Sequence, residues 1–352
     1  MKKLFTIAVV AVATFCSASL FAQEFTNVKQ IEKDGKFVDA FAIQGEYLQP
    51  ATGRAYQVIA RGEKNFEVVG YPDGLPGDGW DRSKARFFGK GEIQDDKLVV
   101  TGERMHIPSR GDEANIVFTD EQKADKLIGT IEDGQFFLEY KGKKTELKRV
   151  ERKSPTLGKK APEGAITLFD GSNTDAFVGD VHLSDSQENA IWSEARLKPF
   201  EKGRPYTLHL EFMLSFMPNA TGQARSNSGV YLQEEYECQV LDSFGLEGEN
   251  NECAGFYQQL KPIVNACFPP LVWQTYDFDV TPAQFNDKGE KTENAVITVR
   301  HNGILVHDNA VLKHETPGGK SEKTEAGEAR GVFLQGHGNK VQYRNIWIKY
   351  KD

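Results

Sequence analysis

Cysteine is scarce, four in 352 residues, and Cys16 sits in the apolar stretch at the start of the chain. No CxxC or HExxH spacing occurs, which removes the common structural zinc motifs and the helical zinc-protease motif. Beyond Leu4–Phe15 no run approaches the roughly 18 apolar residues of a membrane-spanning helix. No convincing amphipathic helix pattern is present either. Positive charge is not in excess: the net charge is −8. An acidic chain is a poor partner for nucleic acid or anionic lipid, while neutral substrates are compatible with it.

What is present begins with a targeting signal. Lys2 and Lys3 precede the short apolar stretch, and Ser19-Leu20-Phe21-Ala22 offers small residues for cleavage. Residues 1–22 therefore read as a signal peptide of an exported protein, periplasmic or extracellular, with no membrane insertion after cleavage. Loss of Lys2 and Lys3 would take the net charge from −8 to −10. Export permits disulfides. Cys253 and Cys267 lie at the two ends of one loop-like segment and are the expected pair; closing that loop of about 15 residues would contribute roughly 3 kcal/mol. Cys238 lies in a strand pattern and reads as a buried thiol.

The remaining chain divides into residues 23–152, a linker at 153–164, and residues 165–352. In the first unit Ala55–Ala60, Phe66–Tyr71, Leu98–Thr101, Asn115–Thr119, Ile128–Glu132 and Gln135–Tyr140 read as short strands, with Asp133-Gly134 as a hairpin turn. A small antiparallel sheet or barrel fits them. The Gly- and Pro-rich stretch from Tyr71 to Trp80 reads as a surface loop whose Trp80 could meet a ligand. The linker is rich in Pro, Gly and Lys. In the second unit Tyr206–Phe216 alternates strictly, with Leu208, Leu210, Phe212, Leu214 and Phe216 on one face, as a half-buried strand does. Ala295–Arg300 and Ile304–His307 flank Asn302-Gly303, a tight-hairpin signal. The expected class is all-β, two packed antiparallel sheets preceded by a small antiparallel β-domain.

The polar positions of one strand carry the candidate chemistry. Glu237 and Gln239 are two apart and share a sheet face, while Tyr236, Cys238 and Val240 point to the core. Asp242 joins the polar face only through a bulge or a register shift at the strand end. His337, between Gly336 and Gly338, is an exposed imidazole suited to acid/base work near neutral pH. Asn227, Gln335 and Arg344 are polar candidates for holding substrate. Tyr231, Tyr257 and Trp273 are candidate stacking platforms; core packing is the plainer role for any one of them. The oxygen-rich stretch from Asp242 to Glu252 lacks the ligand spacing of a calcium hand and reads as a solvated loop.

Ile166-Thr167-Leu168-Phe169-Asp170-Gly171, Asn227-Ser228-Gly229-Val230-Tyr231, Tyr236-Glu237-Cys238-Gln239-Val240-Leu241-Asp242, His301-Asn302-Gly303, Leu334-Gln335-Gly336-His337-Gly338 and Arg344-Asn345-Ile346 follow one another in the chain. In this order they resemble the 3-keto-disaccharide hydrolase family, over about residues 165–350. The preceding unit looks like a small β-domain found ahead of this module. The resemblance implies a concanavalin A-like lectin/glucanase jelly roll with substrate on its concave sheet. It also implies a glycoside already oxidised at carbon 3 by a partner sugar 3-dehydrogenase. A 3-ketone acidifies the carbon-2 proton, so a base can start an elimination that expels the anomeric substituent before water adds. Our assignment makes Glu237 the base and His337 or Asp242 the proton donor. Gln239, Gln335 and Asn227 hold hydroxyls or the enolate oxygen, with Tyr231, Trp273 and Arg344 as further substrate contacts. A divalent metal between His337 and carboxylates is the alternative way to polarise the ketone. Two rivals remain. Glu237-x-Gln239-x-x-Asp242 departs from the Glu-x-Asp-x-x-Glu of jelly-roll endoglucanases, which weakens a two-carboxylate mechanism. A non-catalytic carbohydrate-binding module would need only stacking aromatics.

Overall fold

The computed structural model describes residues 23–132, 135–317 and 329–352. The signal peptide expected at 1–22 and the turn at Asp133-Gly134 lie outside them, although the strands flanking that turn do pair, Glu132 facing Gln135.

The N-terminal half is a barrel. In spatial order Arg86–Gln94, Asn65–Tyr71, Ala55–Ala60, Gly45–Leu48, Lys143–Val150, Gln135–Tyr140, Lys126–Glu132 and Lys97–His106 pair antiparallel, and the last strand pairs back onto the first. Closure removes the exposed edges that make open sheets prone to aggregate. Val58, Ala60, Phe66, Val68, Leu98, Val100, Phe136 and Leu147 fill the interior. Two short helices, Val28–Asp34 and Val38–Ile43, add Ile31, Ala40 and Ile43 to the same cluster. The first is capped by the Asn27 side chain on Gln30 N and ended by Gly35 in the left-handed region (φ 77°). At seven and six residues neither is long enough for a helical period to stand out in sequence.

The C-terminal half is a sandwich. Its larger sheet runs Ile166–Phe169, Gln342–Tyr350, Tyr206–Met213, Trp273–Thr281, Ala295–His301, Ile304–Leu312. The smaller runs Ala195–Arg196, Val332–Leu334, Ser228–Leu232, Tyr236–Val240. Leu208, Leu210, Phe212, Tyr276 and Ile346 from the first sheet meet Val230, Leu232, Cys238, Val240 and Leu334 from the second in one core. The expected all-β, jelly-roll-like architecture with a β-domain before it is what the chain forms. Asn302 and Gly303 both take positive φ (54° and 78°), the geometry of the tight hairpin their sequence announces.

The halves share a core. Barrel residues Ala55, Ile59, Val69 and Tyr71 face outward into the sandwich cluster, so their strands are buried on both faces. Trp80 is part of that cluster, its Nε1 donating to Ala85 O at 3.0 Å. The stretch from Tyr71 to Trp80 is thus no free surface loop, and Trp80 is not available to a ligand. Arg152, held by both Glu46 oxygens (2.7 and 2.6 Å), lies 4.9 Å over the Phe268 ring of the sandwich, and Arg82 donates to Ile263 O at 2.9 Å.

The stretch read as a plain linker is docked as well. Ser154 Oγ lies 2.6 Å from Thr275 Oγ1, Thr156 Oγ1 donates to Asp277 at 2.7 Å, and Gly158 N donates to Glu211 at 2.5 Å. This strap covers the outer face of the larger sheet. His209 and Glu211 are therefore buried, and Tyr206–Met213 is not the half-exposed strand that its alternation suggests.

Candidate functional site

The smaller sheet turns its inner face to the core through Val230, Leu232, Tyr236, Cys238 and Val240. Alternation sends Gly229, Tyr231, Glu237 and Gln239 to the other face. Pairing sets Tyr231 opposite Glu237 and Gly229 opposite Gln239. Tyr236–Val240 ends the sheet, but its edge is covered: Gln239 exchanges backbone bonds with Ala254 and Gly255, and Tyr257 N donates to Glu237 O at 3.3 Å. On the same edge Glu237 N donates to Thr316 Oγ1 at 2.8 Å. The backbone of Glu237 is thereby fixed.

The Glu237 carboxyl lies over Gly229. A Cβ at that glycine would stand 2.3 Å from Glu237 Oε1, so only glycine leaves the room the carboxyl occupies. Glu237 is 4% exposed. Burial pushes its pKa up to about 7, and the hydrogen bond with the Tyr231 hydroxyl offsets only part of that. With no cation paired to it among the described residues, this buried carboxyl is a candidate for proton transfer. Tyr231 shifts the same way: burial and the neighbouring Glu237 raise its pKa, so its hydroxyl stays a donor.

The surrounding amides form a connected support. Gln239 Nε2 donates to Asn227 Oδ1 at 2.7 Å, Asn227 Nδ2 donates to Gln223 O at 2.8 Å, and Asn227 N donates to Asn339 Oδ1 at 2.9 Å. Asn227 and Gln239 are buried in this network and position the site rather than reach into it. Gln335 N pairs with Gly229 O at 2.8 Å, and its Nε2 lies 3.4 Å from the Tyr231 hydroxyl. Gln335 Oε1 is buried without a hydrogen-bond partner among the described residues, an acceptor waiting for a donor. His337 is exposed on the loop that Asn339 ties to Asn227 and that Glu194 holds through Gly336 N at 3.0 Å. It therefore shares a side of the molecule with Gln239. No hydrogen bond joins its imidazole to Glu237 among the described residues. Phe333 packs on Tyr231 at 5.8 Å and carries the Arg196 guanidinium 3.7 Å above its ring.

Three expected site residues are elsewhere, and the expected disulfide is absent. Asp242 follows the strand end into the interior, where its carboxylate binds Arg225 Nε at 2.5 Å. Arg225 also donates to Ala60 O of the barrel at 3.3 Å, so Asp242 is a structural anion and not a proton donor to the Glu237 face. Trp273 and Arg344 stack on each other at 3.9 Å on the outer face of the larger sheet, with the core between them and Glu237. Cys253 and Cys267 are free thiols and form no bridge; Cys253 Sγ lies 3.2 Å from the Tyr276 hydroxyl. In the oxygen-rich loop Glu247 is bound by Arg86, and Glu252 accepts from Glu249 N at 3.0 Å. No three His, Cys, Asp or Glu side chains group as metal ligands among the described residues.

Sequence reasoning missed Gly229, Thr316, Glu194 and Phe333. Gly229 alone carried a signal, a glycine directly opposite a polar position in a β-branched strand.

The outer face of the larger sheet holds a second buried polar cluster. His209 Nδ1 sits 2.8 Å from Asp277, and its ring stacks on Trp347 at 5.1 Å. Burial disfavours its charged form, yet hydrogen bonds to Asp277 and Glu211 raise its pKa. Glu211 is likewise desolvated, but His209, Asn345, Gly158 N and Arg344 bring its pKa down to about 2.

The chain is similar, among other solved structures, to two crystal structures of candidate glycosyl hydrolases from Parabacteroides distasonis. The first is 26% identical, covering 54% of this chain and 85% of that one at a TM-score of 0.46. The second is 18% identical, covering 54% and 95% at a TM-score of 0.36. No curated protein matches the chain. The model of the 3-keto-alpha-glucoside-1,2-lyase-like domain matches residues 164–349, more than half of the sequence and all of the sandwich strands, and the protein belongs to that family.

Proposed function

We propose that the chain, a carbohydrate-active protein by its family, cleaves 3-keto-glycosides by elimination followed by hydration. The single observation that carries this reading is Glu237, a buried carboxyl near pKa 7 with a tyrosine hydroxyl beside it and no cation to fix its charge.

Glu237 takes the proton from carbon 2, made acidic by the neighbouring ketone, and the electron pair becomes the enolate. Tyr231 and the Gln335 amide donate to the developing oxyanion; a hydroxyl whose pKa is raised keeps its proton and so suits that role. The enolate re-forms the ketone as the double bond moves between carbons 1 and 2 and the bond from carbon 1 to the leaving oxygen breaks. His337, at the rim, protonates that oxygen. Water then adds across the double bond. The unpartnered Gln335 Oε1 accepts from a sugar hydroxyl.

A two-carboxylate glycosidase is the weaker reading. The position that would supply its second acid on this strand is Gln239, and Asp242 is neutralised by Arg225.

The test is incubation with 3-keto-trehalose and with trehalose in deuterium oxide. The reading expects cleavage of the keto sugar alone, with deuterium appearing at carbon 2 ahead of or alongside cleavage. Cleavage of unoxidised trehalose, or cleavage without carbon-2 exchange in either substrate or product, would overturn it.

A further inference from the structure

The barrel is filled at one end only. Val58, Val68 and Val100 lie in its packed cluster. Two residues along the same strands, on the same face, stand Tyr56, Gly70 and Gly102, and there a cavity of about 490 Å³ opens. An eight-stranded barrel either fills itself with side chains or holds one small ligand, and this volume lies within the usual range for ligand sites.

The cavity has built walls. A Cβ at Gly102 would lie 2.7 Å from Phe118 Cε2, and one at Gly70 would lie 3.3 Å from Phe87 Cβ and Tyr56 Cε1. Neither glycine has a positive φ, so the requirement is space: both let aromatic rings lie against the strands. A bulge adds to this. Phe88 faces Arg104 while Gly89 faces Gly102, which leaves Glu103 unpaired and reverses the alternation beyond it. Met105 thereby lines the cavity opposite Phe87, with Leu127 and Tyr140 completing an apolar wall.

The charges at the mouth are unequal. Asp125 is bound to Lys141 at 2.8 Å, and Arg86 to Glu247. Arg54 lines the same cavity, is exposed, and has no carboxylate partner among the described residues. Its charge acts on the Tyr56 hydroxyl, which places the guanidinium at the cavity rather than away from it.

We propose that this barrel mouth binds a small organic anion, with an aromatic or alkyl body in the cavity and a carboxylate or sulfonate on Arg54. The site is separate from the Glu237 face and does not depend on the chemistry assigned there.

The full mature chain is titrated with the aryl sulfonate 1-anilinonaphthalene-8-sulfonate, followed by fluorescence, and the probe is then displaced with dodecanoate and with dodecanol. Saturable one-to-one binding is expected, with dodecanoate the stronger competitor. Met105→Trp fills the cavity and should weaken the probe about tenfold or more, as expected when an apolar pocket is blocked. Arg54→Gln, at an exposed position that leaves the fold intact, should weaken dodecanoate about fivefold and leave dodecanol unchanged, the size expected for one partly exposed charge-assisted bond. Glu237→Gln should bind the probe like the parent. Absence of saturable binding overturns the proposal. So does equal binding by the parent and Arg54→Gln, or loss of binding in Glu237→Gln, whatever the folding of Met105→Trp.

Discussion

Glu211 and Glu237 occupy equivalent kinds of place and behave in opposite ways. Each points from a strand to the outer face of its sheet, and each is almost wholly buried, at 0% and 4% exposure. Burial alone pushes both pKa values up. Glu211 meets Arg344, Asn345, His209 and a strap amide, and ends near 2. Glu237 meets one tyrosine hydroxyl and ends near 7. Partners, not depth, separate an anion that holds the fold together from a carboxyl able to exchange a proton.

That contrast can be broken most sharply at Glu237. Glu237→Gln should lower turnover of a 3-keto-glucoside by about a thousandfold or more, within the range for losing a general base, while the circular dichroism spectrum is kept. Near-parental turnover would make the two glutamates alike. At the other face, Glu211→Gln strips the anion from between His209 and Arg344 and should cost about 3 kcal/mol in urea unfolding, as breaking a buried pair does. The folded fraction should keep its specific activity; a loss of activity at full folding would erase the distinction.

The pH dependence sharpens the comparison further, since the two signs are opposed. Glu237 has its folded pKa above the unfolded value of 4.5, so the folded chain holds the extra proton between those values. Its contribution is unpenalised below pH 4.5 and is lost as pH rises to about 7, a cost of about 3 kcal/mol above that. Glu237→Gln should therefore be more stable than the parent at pH 8 and equal to it at pH 4. Glu211, with its folded pKa lowered, contributes stability above pH 4.5 that is lost as pH falls toward 2. Melting temperatures across pH 2–9 for the parent and both variants resolve the two arms. Gly229→Ala should displace the Glu237 carboxyl and lower turnover about a hundredfold, comparable to other small misplacements of a catalytic group. Tyr231→Phe removes both an oxyanion donor and the interaction that lowers the Glu237 pKa, so the plateau rate should fall about a hundredfold and the midpoint of the pH–rate profile move up by about one unit or less.

Local signals were legible in the sequence and remote ones were not. The limits of Ala55–Ala60 and Gln135–Tyr140, the Asn302-Gly303 turn, and the shared face of Glu237 and Gln239 follow from alternation and turn chemistry within a few residues. Trp273 and Arg344 also sit on a polar face, but sequence cannot say which of two sheets that face belongs to, and the topology gave them to the other one. Arg86–Gln94 was hidden because Gly89 and Gly91 interrupt its pattern, yet those glycines leave room for Val100 and Leu98 on the neighbouring strand. Cys253 and Cys267 do come together, as the spacing suggests, but as free thiols in side-chain contact within a core shared with Tyr276.

The common core of barrel and sandwich has a consequence for how such chains can diversify. Ile59, Val69, Leu75 and Trp80 are buried in one cluster with residues of the other half. Cutting the gene between the halves, or grafting a foreign barrel onto the sandwich, would lay open a greasy surface on both fragments. Recombination can therefore trade the two halves only as a matched set, and new specificities must arise by substitution within each.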